Sequence, residues 1–146
     1  MDRYLFKAKR IDNGEWVQGN LILSNDAEDG YRAIIIPTNN SNMFTKSGAK
    51  ENLGFENWYR VNENTLCQCT GLKDKNGNLI WENDIGRYQW DGKTKTDVIV
   101  YDGSMFTYSG SMRWDLCQDE MIGNIFDNPE LLEEKETSLD DEYELD

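Results

Sequence analysis

The sequence predicts a mainly β protein built from short antiparallel strands. Apolar and polar residues alternate in short runs, and turn signals containing Gly, Asn or Asp recur about every ten residues. This spacing is typical of all-β sandwiches and small barrels. A chain of 146 residues is expected to form one domain, or one domain with a small satellite.

An N-terminal β-rich section is predicted over residues 1–62. Asp12-Asn13-Gly14 supplies the turn of a hairpin, and Pro37 ends the strand before it. Residues 38–57 are rich in Asn, Ser and Gly and are expected to form a loop or a short helix. The strands predicted in this section lie at 3–9, 15–24, 31–36 and 58–61.

The second predicted section covers residues 63–132. Asn76-Gly77 lies between two apolar runs and predicts a hairpin with a type I′ turn, in which both central residues need a positive φ. Asp91-Gly92 marks the next turn. Asn128 followed by Pro129 predicts the start of a short C-terminal helix. The predicted strands lie at 65–70, 79–82, 85–90, 96–101, 105–109, 113–116 and 121–126.

The net charge of −13 is unevenly distributed. Residues 130–146 carry nine acidic and one basic side chain, so residues 133–146 are expected to form a flexible acidic tail. The remaining body, residues 1–129, has a net charge of −5. This disfavours a nucleic-acid partner, because affinity for phosphates comes largely from basic side chains. The dispersed bases that could still form a local patch include Lys7, Lys9, Arg10 and Arg32.

The absence of histidine excludes most familiar catalytic systems. There is no Ser-His-Asp or Cys-His nucleophile, no imidazole base and no histidine-containing zinc site. Cys67 and Cys69 are expected to be reduced thiols without a metal role. Glycine patterns for nucleotide binding are also missing. The sequence therefore predicts a protein that is not an enzyme and has no metal or cofactor.

Glu82 and Asp84 are the carboxylates of most interest, because they lie at a strand junction near Trp81 and Trp90. Two carboxylates at a defined separation can hydrolyse a glycosidic bond, so a carboxylate-dependent hydrolase remains an alternative. The favoured interpretation is that Asp84 caps a turn by accepting backbone N–H bonds. Together these residues form the predicted binding set: Trp81, Glu82, Asp84 and Trp90.

The aromatic residues also have two interpretations. Trp16, Trp81 and Trp114 are expected mainly in the core, since large rings supply much of the burial in a small β domain. Exposed rings could instead stack on bases, so a single-stranded nucleic-acid binder is the first alternative function.

Two long runs of the sequence resemble a known family. The first is Gln68–Ile85 and the second is Met121–Leu132, and the opening Tyr4–Ala8 also fits. These runs are similar to the YopX family of small proteins encoded by bacteriophages and prophages, and the resemblance spans residues 3–132. It implies an SH3-like β-barrel over residues 63–132, preceded by the N-terminal β-rich section. It implies no catalytic or binding residues.

Two positions depart from the family pattern, which typically has Glu-Gly-Asp-Ile-Val at residues 82–86. Asn83 stands at the glycine position and can still adopt a left-handed conformation, so we expect the turn to persist. Gly86 stands in place of valine and indicates a weak strand start or a bulge.

The function predicted from these observations is that of a phage or prophage accessory protein that binds a host or phage protein without catalysis. The N-terminus lacks the apolar segment of a signal peptide and the chain has no membrane-spanning run. We therefore expect it in the cytoplasm of the bacterial host. Exposed strand edges favour homo-oligomerisation, which the negative charge opposes.

Overall fold

The computed structural model describes residues 2–25, 32–38, 42–45, 53–113 and 115–132. The chain divides into two compact units, Met1–Cys69 and Thr70–Asp146. Both units are mainly antiparallel β, which confirms the predicted class. The predicted division between residues 62 and 63 lies N-terminal to this boundary. Trp114 and the predicted tail at 133–146 lie outside the described residues.

The first unit contains a curled antiparallel sheet and a separate two-stranded sheet. In the main sheet β6 lies next to β3, followed by β2, β1 and the start of β7. The hairpins predicted around residues 3–36 are confirmed, with β3 ending before Pro37. The first strand is shorter than the predicted 3–9, because Asp2–Tyr4 forms a 3-10 turn that the Leu5 N–H closes by donating to the Asp2 carbonyl. The strands are β1 (Phe6–Lys9), β2 (Trp16–Leu23), β3 (Ala33–Ile36), β4 (Met43–Thr45), β5 (Leu53–Phe55), β6 (Tyr59–Arg60) and β7 (Cys67–Lys73).

The main sheet curls because the end of β1 returns to the residues around β6. Arg10 forms a β-bridge with Val61, and the Asn62 N–H donates to the Lys9 carbonyl at 2.8 Å. Gly19 lets β2 and β3 approach closely, since a Cβ there would meet the Ile36 backbone. The enclosed core contains Ala8, Ala33, Ile35 and Val61, with Phe6, Val17, Leu21 and Leu66 packed against them.

Strands β4 and β5 pair within the segment expected to be a loop or short helix, so that prediction is wrong for this part of residues 38–57. A buried asparagine anchors the pair. Asn42 Nδ2 donates to the Asn57 carbonyl at 2.7 Å, and its Oδ1 accepts the Asn57 N–H at 2.6 Å. The Glu56 N–H donates to the Asn42 carbonyl. Backbone pairing and one amide side chain therefore define these strands.

The second unit contains the end of β7, which neighbours β8, and a four-stranded sheet in the order β11-β10-β9-β12. Its strands are β8 (Leu79–Trp81), β9 (Asp84–Trp90), β10 (Lys93–Tyr101), β11 (Phe106–Tyr108) and β12 (Glu120–Asn124). The predicted short helix is one turn at 130–132. Among the described strands β11 and β12 end the sheet as open edges, so the SH3-like barrel implied by the resemblance is not confirmed.

The described residues of the segment predicted as a strand at 113–116 are not in a strand. Leu116–Gln118 forms a 3-10 turn, closed by the Asp119 N–H donating to the Leu116 carbonyl. This turn brings Asp119 back towards Arg113, and the two side chains form an ion pair of 2.7 Å. The prediction of a strand here is therefore wrong, because local turn bonds and this ion pair replace strand pairing.

The turns at Asn76-Gly77 and Asp91-Gly92 are of different types, and a type I′ turn was predicted for the first of them. The hairpin at Asn76-Gly77 exists, but only Gly77 has a positive φ, so the turn is not type I′. Asp74 closes a longer loop, with its N–H donating to the Asn78 carbonyl at 2.8 Å. The two-residue turn with positive φ at both positions is Asp91-Gly92, at 52° and 72°.

Two stacked tyrosines dominate the core of the second unit. The rings of Tyr88 and Tyr108 lie 4.4 Å apart between centroids and 18° from parallel. Gly86 lies under Tyr108, and a Cβ at Gly86 would meet the Tyr108 hydroxyl. The bulge expected near Gly86 lies in the paired strand β12, between Met121 and Gly123. Ile80, Ile99 and Leu116 complete this core.

Candidate functional site

The four predicted binding residues lie at opposite ends of β9. Trp81, Glu82 and Asp84 surround the turn between β8 and β9, whereas Trp90 is the last residue of β9. An extended strand rises about 3.3 Å per residue, so the six steps from Asp84 to Trp90 cover roughly 20 Å. The structure does not bring the four residues together in one site.

The turn between β8 and β9 has a structural role. Asp84 is 5% exposed, and its Oδ2 accepts the backbone N–H of Trp81 at 2.8 Å. This bond confirms the predicted turn cap. Asn83 has a φ of 73°, so it adopts the left-handed conformation expected of it. Trp81 is buried as predicted, whereas Trp16 is half-buried and lies outside the core of its unit.

Trp90 lines a small concave site at the other end of β9. The site has a volume of about 180 Å³ and is called here the Trp90 pocket; its lining residues are Tyr88, Trp90, Lys95, Ser111, Met112 and Arg113. Tyr88 and Trp90 share a face of β9, because alternate strand residues point the same way. The register places Lys95 opposite Tyr88 and Lys93 opposite Trp90. Trp90 is 60% exposed and Met112 is 71% exposed.

The inner side of the Trp90 pocket is held by a buried hydrogen-bond network. Arg113 donates from Nε and Nη2 to the two carboxylate oxygens of Asp119, at 2.8 and 2.7 Å. The Tyr108 hydroxyl donates to the same carboxylate at 2.9 Å. The Arg113 guanidinium lies 5.3 Å from the centre of the Tyr88 ring. Bidentate charge-assisted bonds of this kind fix the orientation of the arginine.

Two members of this network, Tyr108 and Arg113, keep their protonation states around neutral pH. Burial, followed by the hydrogen bond to Asp119, raises the pKa of Tyr108 well above its ordinary value of 10.0. The hydrogen bond to Asp119 raises the pKa of Arg113 as well. Tyr108 therefore remains a neutral donor and Arg113 remains a cation. The pocket presents a rigid aromatic floor beside Arg113 and Lys95.

Most of this pocket was missed by sequence reasoning. Only the alternation of side chains along β9 could have been used, since it places Tyr88 on the same face as Trp90. Arg113 and Met112 had no such signal, because they come from a segment more than twenty residues away. Their position depends on the turn at Leu116–Gln118 and on Asp119.

Metal-ligating and membrane-spanning features are also absent from the described part of the chain. No group of three or more Cys, Asp or Glu side chains there is placed to hold a metal ion. Cys67 is a buried thiol whose Sγ lies 3.3 Å from the Thr65 carbonyl. None of the described helices is long and apolar enough to cross a membrane.

Comparisons with known proteins agree with the two sequence runs that resemble YopX. Residues 5–133 match the model of the family described as YopX protein. The crystal structure of protein EF1440 from Enterococcus faecalis is similar, with a TM-score of 0.57 and 26% sequence identity. The similarity covers 87% of this chain and 96% of that chain. No curated protein matches the chain. Because the family model covers most of its length, the chain belongs to the YopX family.

Proposed function

We propose that this YopX-family protein is a phage or prophage accessory protein that binds another protein, without catalysis, through the Trp90 pocket. The observation that supports this proposal is a tryptophan that is 60% exposed beside a rigid, hydrogen-bonded floor. A large exposed ring is costly to leave in water, and exposed aromatic sites of this kind often mark interfaces.

The size of the pocket favours a protein partner over a small molecule. Ligand pockets usually have volumes of about 300–1,000 Å³, whereas the Trp90 pocket has about 180 Å³. Such a volume accommodates one side chain. Trp, Tyr, Met and Arg, which form most of its lining, are also the residue types enriched in interface cores.

The rigidity of the pocket also favours binding. Asp119 holds Arg113 through two bonds, and Tyr108 stacks under Tyr88. Side chains that are already ordered lose little conformational entropy when a partner docks. Trp90 and Met112 can then provide contact area around a fixed floor.

The lysine residues at the rim of the Trp90 pocket indicate the chemistry of the partner. Lys95 lines the pocket and Lys93 lies opposite Trp90 on β10. We therefore expect the partner, a host or phage protein, to insert one apolar or aromatic side chain next to an acidic residue. The carboxylate of that residue would pair with Lys95 at the rim.

A peptide selection experiment tests this function. The full chain is immobilised and used to select from a random peptide library, and the enriched peptides are measured by fluorescence polarisation. We expect enriched peptides with an apolar anchor beside Asp or Glu. Trp90→Ala should weaken their binding about 30-fold, the equivalent of a hot spot of about 2 kcal/mol.

The matched control is Trp58→Ala, which removes a tryptophan that is 51% exposed in the first unit. This variant should bind the peptides within about twofold of the unchanged chain. Lys95→Glu should reverse the preference for acidic flanks. The proposal is wrong if no peptide is enriched, or if Trp90→Ala and Trp58→Ala bind equally well.

A further inference from the structure

The chain itself contains a segment with the chemistry expected of a partner for the Trp90 pocket. Residues 133–146, which lie outside the described part of the chain, carry eight acidic side chains and one basic side chain. Tyr143 is their only aromatic residue, and its two neighbours are Glu142 and Glu144. The lining of the pocket favours an aromatic anchor beside acids, and this sequence provides one.

The charges at the pocket complement those of this segment. Residues 1–69 have eight basic and nine acidic side chains, a net charge of −1, whereas residues 70–146 have a net charge of −12. Within this acidic half Lys95 lines the pocket, and Lys93 lies opposite Trp90 on β10. Neither lysine forms an ion pair with another residue that the structure describes. Both are therefore available to carboxylates at the rim.

The connection from the described fold is long enough for Tyr143 to reach the pocket. Asn124, the last residue of β12, pairs with the first residue of β9, and its carbonyl accepts the Asn128 N–H at 2.8 Å. Trp90 lies roughly 20 Å along β9 from that point. The chain from Leu132, the last described residue, to Tyr143 advances eleven residues and spans at most about 36–40 Å. This reach exceeds the length of β9.

We propose that residues 139–146 dock in the Trp90 pocket of their own chain and so compete with the partner. Tyr143 is the anchor, in contact with Trp90 and Met112, and the acidic side chains beside it pair with Lys95. This inference rests on the proposed function of the pocket and adds regulation to it.

Tethering explains why the occupant is the chain's own segment rather than that of a second copy. A segment tethered by eleven residues has an effective concentration of about 1 mM, whereas a second copy at about 10 μM supplies it at a concentration about a hundredfold lower. With an intrinsic Kd of about 0.2 mM, the tethered segment would weaken binding of the partner about sixfold.

Nuclear magnetic resonance of the full isotope-labelled chain tests the contact without any partner. Each tryptophan indole N–H gives one signal, and those of Trp90 and Trp58 are identified by their loss in Trp90→Phe and Trp58→Phe. We expect Tyr143→Ala to shift the Trp90 signal and to leave the Trp58 signal unchanged. The shift should persist after tenfold dilution, because the contact lies within one chain. Thr137→Ala, the control in the same segment, should shift neither signal.

Fluorescence polarisation with a peptide selected as described above tests the competition. Tyr143→Ala should strengthen binding of the peptide to the full chain about sixfold. Glu142→Gln combined with Glu144→Gln should strengthen it about threefold, since exposed ion pairs contribute modestly. The matched control, Glu133→Gln with Glu134→Gln, removes the same charge far from the anchor and should change the affinity by less than about 1.5-fold.

The inference is overturned if Tyr143→Ala leaves the Trp90 signal unchanged or fails to strengthen peptide binding, or if the two glutamate pairs have equal effects. A shift that disappears on dilution also overturns it, because a second copy would then be the occupant. The proposed function survives each of these outcomes, since the peptide would still bind and Trp90→Ala would still weaken it. If no peptide is enriched, the proposed function fails, and the Trp90 signal alone decides whether the segment docks.

Discussion

One buried carboxylate closes the turn between β7 and β8, and its removal tests the account of the second unit. Asp74 is 5% exposed. Its Oδ1 accepts the N–H groups of Asn76 and Asn78 at 2.9 and 3.0 Å, and its Oδ2 accepts the Met121 N–H at 3.0 Å. Burial opposes ionisation, but these backbone bonds outweigh it and lower the pKa of Asp74 below its ordinary value of 3.8.

Asp74→Asn is the smallest informative change. The amide oxygen can still accept from Asn76 and Asn78, but the amide nitrogen then faces the Met121 N–H, so two donors meet. Losing a bond to a charged acceptor and leaving a buried donor unsatisfied each cost roughly 1–3 kcal/mol. We expect a loss of about 2 kcal/mol at pH 7, which lowers Tm by about 4–8 °C in a chain of this size.

The pH dependence of the free energy of unfolding shows whether the Asp74 carboxylate causes this loss of stability. A folded-state pKa below the unfolded value stabilises the protein above pH 3.8, and this contribution is lost as the pH falls through the lower folded value. The difference between the unchanged chain and Asp74→Asn should therefore shrink as the pH falls below 3.8.

Urea unfolding, followed by circular dichroism and tryptophan fluorescence, measures this difference. Asp102→Asn is the matched control, because Asp102 also accepts N–H bonds, from Ser104 and Met105, but in an exposed loop. Its effect should be clearly smaller. A loss at Asp74 below about 0.5 kcal/mol at pH 7, or a loss that does not change with pH, would refute the reasoning.

Three further changes test the second unit by urea or thermal unfolding. Gly86→Ala should cost about 2 kcal/mol, because the new Cβ meets the Tyr108 hydroxyl; a neutral result would contradict the packing. Tyr108→Phe should cost about 2 kcal/mol at pH 7 by removing the bond to Asp119. The raised pKa of Tyr108 means that its contribution is lost above pH 10, so this variant should lose stability less steeply there; parallel curves would contradict it. Asp84→Ala should cost about 2 kcal/mol by removing the bond between its carboxylate and the Trp81 N–H, with Asp84→Asn costing less. Hydrolysis of glycans or phosphodiesters that Asp84→Asn abolishes would instead favour the carboxylate-dependent hydrolase.

The sequence predicted the elements whose signals are local. The hairpin around Asp12-Asn13-Gly14 combines alternating strands with a turn motif, and both are readable within a short window. Strands β4 and β5 have three residues each, which is too few for alternation to register. Their anchor, Asn42, pairs with Asn57 fifteen residues away. That contact has no local signature.

The turn chemistry shows a similar limit. Asn-Gly at 76–77 and Asp-Gly at 91–92 are both typical of two-residue turns. They form different loops, because the Asp74 side chain accepts two N–H groups and selects a longer loop at 76–77. The four predicted site residues lie apart for a different reason. Residues 81–90 are close in sequence, but the strand between them is extended, so Trp81 and Trp90 are far apart. Arg113, which does line the pocket with Trp90, is brought there by a turn and an ion pair.

The net charge of the chain gives a poor account of its surfaces. A net charge of −13 disfavours nucleic-acid binding only if the acidic residues lie near the binding surface. The reason is that salt screens the interactions of exposed charges beyond about 8 Å at physiological ionic strength. The structure places Lys7 and Lys9 over the Trp16 ring in a unit whose net charge is −1. The strongly acidic residues belong mainly to the other half of the chain. Local register, rather than net charge, therefore decides where basic and aromatic side chains meet in the first unit.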